Sequence, residues 1–174
     1  MIRRLARRRV TLSAAAALSM LVALPALAGP PWISIEVPPN PYDRATRGAF
    51  LVVNAFHHGT PAGFPIAGTA EGLVNGKRQS VALSFERTSR QGSYALRKQW
   101  PTEGAWMLVI SVRQGEKDRA TALVELGAGG EVAGVRVPTV QREGYAIPRE
   151  VTSREVDSAL RERARTVVAG GSVK

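Results

Sequence analysis

Between Trp32 and Val137 the apolar residues come in short alternating runs separated by Gly, Pro and Asn-Gly, and this rhythm commits the segment to pleated sheet. Ile33, Ile35 and Val37 alternate with Ser34 and Glu36. The run stops at Pro38-Pro39-Asn40-Pro41, where the prolines remove ladder donors and hold the backbone extended or turned. Phe50 to Phe56 is apolar on both faces, as a central strand requires. Asn75-Gly76, set between Leu73-Val74 and Lys77, predicts a type I′ hairpin, because both central residues need positive φ. Val81, Leu83 and Phe85 share a face, and Tyr94, Leu96 and Trp100 mark a further strand. Trp106, Leu108, Ile110 and Val112 make the cleanest inward stripe, which Gln114 to Asp118 turns into Ala120, Ala122, Val124 and Leu126. Beyond the Gly127–Gly130 turn, Val132 to Val137 reads as a last edge strand. Seven or eight short strands at this spacing predict an all-β two-sheet sandwich over residues 29–137.

The character of the chain then changes. Residues 138–151, polar and bounded by Pro138 and Pro148, read as a linker. Thr152-Ser153-Arg154-Glu155 is a capping box, in which the hydroxyl accepts from an orphan amide and the Glu reaches back to the cap. Val156, Leu160, Ala164 and Val167 follow at helical spacing, so an amphipathic helix is expected over 152–170, with a disordered tail at 171–174. A helix of this length is marginal alone, so its stripe must dock on the sandwich, on a partner or on a membrane surface. Val156 and Leu160 are therefore candidate partner-binding residues. Trp100, placed before Pro101 at a strand end and expected to be partly exposed, is a third.

Residues 1–28 have the three-part layout of a secretory leader: Arg3, Arg4, Arg7, Arg8 and Arg9, an apolar run from Leu12 to Leu24, and Ala26-Leu27-Ala28. The run is shorter than the roughly 20 apolar residues that cross a bilayer. Cleavage after Ala28 is expected, giving a periplasmic or secreted protein that starts at Gly29 and is not transmembrane. Arg8-Arg9-Val10-Thr11-Leu12 loosely resembles a twin-arginine signal, so both export routes stay open.

Removing the five leader arginines from the net +10 leaves +5 on the mature chain, and those charges alternate in sign, as in Glu116-Lys117-Asp118-Arg119. That is the pattern of a solvated surface, and with the export signal it argues against a nucleic-acid partner. The absence of cysteine excludes thiol catalysis, thiolate metal sites and disulfide exchange. No Gly-x-Ser-x-Gly elbow occurs and neither histidine has an acidic neighbour in sequence, so no enzyme is expected.

His57-His58 is the one histidine cluster, and imidazole nitrogen suits Cu(II), Ni(II) or Zn(II). Adjacent strand residues face opposite ways, so both can ligate one ion only if the strand ends before them. Asp43, Glu71 or Glu103 would have to complete the set. The expected cofactor complement is none, with Cu or Zn at His57 and His58 as the alternative. Trp32, Tyr42, Trp100, Trp106 and Tyr145 are the candidates for a glycan-stacking platform.

Gly92-Ser93-Tyr94, followed by Pro101-Thr102-Glu103-Gly104-Ala105-Trp106 running into Met107-Leu108-Val109-Ile110, carries a resemblance. Over residues 45–126 the chain resembles small exported bacterial immunoglobulin-like domains, notably the YtkA-like and FixH-like ones. These have a Gly-x-Tyr strand entry, a Pro-x-x-Gly-x-Trp turn and a Gly-x-Pro loop, matched here by Gly59-Thr60-Pro61. The resemblance implies an immunoglobulin-like two-sheet sandwich of about seven strands, serving as an accessory domain. Some relatives sit in metal-handling or cytochrome-assembly contexts, but Met107 is the single methionine of the mature chain, unlike the methionine-rich strings of copper carriers. The expected function is that of an exported accessory module contacting another envelope protein. Metal binding at His57 and His58 is the alternative, and glycan or peptidoglycan binding a further one.

Overall fold

The computed structural model describes the backbone of residues 29–171 and the side chains of 29–165; the expected leader, the tail beyond 171 and the side chain of Val167 lie outside the described residues. Strands β1 (Trp32–Glu36), β2 (Leu51–His57), β6 (Phe85–Arg87) and β7 (Ser93–Leu96) form one sheet in the order β1-β2-β7-β6. The two-residue β3 (Thr60–Pro61) pairs with the end of β2. The second sheet contains β4 (Ile66–Val74), β5 (Lys77–Ala82), β8 (Ala105–Gln114), β9 (Asp118–Leu126) and β10 (Val132–Arg136), in the order β10-β9-β8-β4-β5. Labelled A to G, β1-β2-β7-β6 is A-B-E-D and β9-β8-β4-β5 is G-F-C-C′, which is the immunoglobulin arrangement. Eight strands make this frame. That is the upper of the seven or eight expected, with β5 and β6 separate: the run through Val81, Leu83 and Phe85 leaves one sheet at Ala82 and joins the other at Phe85.

The alternation places the core as expected. Ile33, Leu51, Val53 and Leu96 face Trp106, Leu108, Ile110, Val112, Ala122 and Val124 across the sheets, all of them buried. At the hairpin between β4 and β5, Asn75 and Gly76 have φ of 50° and 74°, the signature of a type I′ turn. Trp106 lies opposite Gly72 of β4, and a Cβ added there would sit 2.6 Å from its ring. The indole can fill this space only because Gly72 has no side chain. Trp100 departs from expectation: β7 ends at Leu96, and Trp100 turns in from the following loop, 5% exposed, meeting Phe50 edge-on at 5.0 Å.

The segment expected as a linker is instead a hairpin, β11 (Thr139–Arg142) with β12 (Tyr145–Pro148), closed by Glu143 and Gly144, both at positive φ. Helix α1 (Ser153–Gly171) follows. Its capping box is reciprocal: Glu155 N–H donates to Thr152 Oγ1 at 3.3 Å, and Thr152 N–H to Glu155 Oε2 at 2.9 Å. Val156 and Leu160 are buried against Met107 and Leu123 on the outer face of the second sheet. Arg78 ties the helix down, bonding Asp157 at 2.6 Å and Glu71 at 3.0 Å.

Candidate functional site

The chemistry-bearing residues gather at one end of the sandwich, and strand pairing explains why. β1 and β2 are antiparallel with Trp32 opposite Phe56, so the chain before Trp32 runs alongside the residues after Phe56. β2 ends at His57, which pairs with Thr60 of β3. The two residues between, His58 and Gly59, have φ of 49° and 76°. This is a second two-residue turn with both centres left-handed, a conformation histidine accepts more readily than most side chains.

Because the strand stops at His57, the alternation that would separate the two imidazoles is broken. Their ring centroids are 4.3 Å apart. His57 is half-buried, edge-on to Phe64, while His58 is exposed. Gln114, the last residue of β8, places its amide nitrogen 3.3 Å from His57 Nε2, and its own Oε1 is buried with no hydrogen-bond partner. Gly29 approaches from the other side. A Cβ on it would lie 3.4 Å from Cε1 and 3.9 Å from Nε2 of His58.

The carboxylates expected to complete a metal set are elsewhere. Asp43 accepts from Ala45 N–H and pairs with Arg90, and Glu71 is held by Arg78 and Ser80. Glu103 lends its carbonyl to the Trp106 indole N–H at 2.7 Å. Among the described residues no three of His, Cys, Asp and Glu form a metal-holding group.

The expected partner-binding residues are corrected as well. Trp100 is core, and Val156 and Leu160 are spent on the molecule's own sheet, since a stripe of their size is covered by Met107 and Leu123. Of the proposed stacking rings, Trp106 is core too; Trp32, Tyr42 and Tyr145 are exposed, and no two of these three are in contact among the described residues. The surface that sequence reading missed is the β11–β12 hairpin. Every residue from 139 to 146 is exposed, including Val140 and Tyr145 at 45% and 74%.

At the foot of the hairpin a cavity of about 540 Å³ lies between α1 and β9–β10, lined by charges of both signs, among them Arg136, Arg149 and Glu155. The Arg149 guanidinium, with the Thr152 amide and hydroxyl, holds the Glu155 carboxyl down at about 2. This pair is therefore ionised at any ordinary pH and fastens the hairpin's exit to the helix's first turn.

Fold and surface together define a sandwich of immunoglobulin strand order carrying a docked C-terminal helix. Comparison with protein-family models, with curated proteins and with solved structures finds no match for the chain. No helix among the described residues is long and apolar enough to cross a membrane.

Proposed function

We propose that this protein is an exported, non-enzymatic accessory module of the cell envelope that works by contact with another envelope protein. The observation that carries this reading is the β11–β12 hairpin, which projects Val140 and Tyr145 into solvent from outside both sheets. A two-stranded ribbon is marginal by itself, and its apolar side chains gain most when a partner covers them. The leader-like residues 1–28 and the resemblance to YtkA-like and FixH-like domains support the same setting. A photo-crosslinking residue at position 145, introduced in cells, is expected to give a discrete adduct with an envelope protein. The same probe at Lys117, in the turn between β8 and β9, is the control and should give none. Equal labelling at both positions, or none at 145, would remove the hairpin as the contact.

A second reading, a periplasmic metal-binding module, is favoured by the 4.3 Å approach of the His57 and His58 rings.

A further inference from the structure

Removal of a leader does more than release a protein: it turns the peptide nitrogen of the next residue into a primary amine, a metal ligand. Here that residue is Gly29: a Cβ on it would lie 3.4 Å from His58 Cε1, and its nitrogen is two bonds, about 2.5 Å, from that position. We propose that cleavage after Ala28 completes a Cu(II) site made of the Gly29 α-amine, His58 and His57. This deepens the metal-binding reading and rests on the expectation of export processing.

Three features make the arrangement more than proximity. First, the amine is held in place. Gly29 and Pro30 are half-buried, Pro31 is buried, and the two prolines fix the backbone between the new terminus and β1. Little freedom is lost when the amine binds. Second, His57 is held at Nε2 by the Gln114 side-chain amide, 3.3 Å away, and Nδ1 is open to a ligand when the amide oxygen is the atom that faces Nε2–H. In that orientation Oε1 accepts from His57 Nε2–H and fixes the Nδ1-open tautomer. A ligating histidine ordinarily donates its other ring N–H to an oxygen acceptor, the role the Gln114 oxygen takes in this orientation. Third, His58 is carried by a left-handed turn, which swings its ring back over His57 rather than to the opposite face.

The donor set selects the metal. Three neutral nitrogens favour Cu(II), which stands highest in the divalent series for such ligands and accepts a tetragonal arrangement. Pro30 has no N–H, so the first peptide nitrogen cannot be deprotonated onto the metal. The Gly29 carbonyl oxygen is left to close a chelate ring with the amine, giving a fourth donor. No acid is required, which fits the distance of Asp43, Glu71 and Glu103 from the pair. When the ion binds, a protonated amine gives up its proton to solvent.

The test uses protein starting at Gly29, with Cu(II) titrated by calorimetry and the complex read by electron paramagnetic resonance. One bound Cu(II) with hyperfine splitting from three nitrogens is expected. Adding a single Ala ahead of Gly29 moves the amine away. It should weaken binding by more than the ~10- to 100-fold typical of losing a supporting partner. His58→Asn should do the same, and it keeps the turn because Asn tolerates positive φ. Unchanged melting of both variants separates ligand loss from unfolding. Equal affinity of the extended and Gly29-starting proteins would overturn the proposal, as would two-nitrogen coordination. The mass of the exported protein tests the reading beneath it: a first residue other than Gly29 would remove the processing step, whatever the titration shows.

Discussion

Gly72→Ala is the smallest change that should injure the sandwich. The new methyl carbon would lie 2.6 Å from Cε3 and Cζ3 of Trp106 and 2.7 Å from Cδ2. Carbon atoms are comfortable at about 3.5–4.0 Å, so the deficit is close to 1 Å. The ring has no room to withdraw, being 3% exposed and tethered through Nε1 to the Glu103 carbonyl. Elsewhere in a strand, replacing Gly by Ala stabilises by about 0.5–1 kcal/mol. Overpacking a filled core costs about 1–3 kcal/mol, so a net loss of roughly 1–2 kcal/mol is expected. By urea unfolding this appears as a lower midpoint, and in a thermal scan as a fall of about 2–8 °C. Trp106→Ala alone should cost about 3–5 kcal/mol. In the double variant the methyl enters the space the ring has left, so the costs should fall short of additivity by about 0.5–3 kcal/mol. A Gly72→Ala protein as stable as the parent, or strictly additive costs, would refute the packing described for β4 and β8.

Acid should loosen the helix before the sandwich. A carboxylate held at about 2 against an ordinary 4.5 stabilises the folded state fully above the higher value, and this is lost as pH falls from about 4.5 towards 2. Glu155→Gln should flatten the helical circular dichroism signal across that window, and identical acid profiles for the two proteins would contradict the role given to Arg149 and Thr152. Leu160→Ala should fall at the low end of ~2–5 kcal/mol, because α1 can detach while the sheets persist. Amide exchange should quicken over 153–165 and stay slow in β8; equal acceleration in both would show that they open as one unit.

Period-two alternation was enough to place the inward stripes of β8 and β9, and Asn75-Gly76 announced its turn, because these signals are local. The other two left-handed turns were harder to read. His58-Gly59 and Glu143-Gly144 use first residues less usual than Asn, so neither pair announces its turn as Asn75-Gly76 does. Trp100 was misplaced for a different reason. Its place before Pro101, past the end of β7, points to exposure, yet the loop folds inward and the ring packs on Phe50, fifty positions earlier. The approach of Gly29 to His58 is set by the pairing of β1 with β2, a register that no spacing along the chain reveals.

Helix α1 follows every described strand in chain order, so it is also the last of these elements to leave the ribosome. The immunoglobulin frame is complete at Leu126, but the outer face bearing Met107 and Leu123 stays bare until Val156 and Leu160 arrive. For that interval the newborn chain can pair its strands and still adhere to its neighbours. A chain broken between Pro148 and Ser153 would be caught permanently in this state, correctly folded within and sticky without, a natural substrate for quality-control proteases.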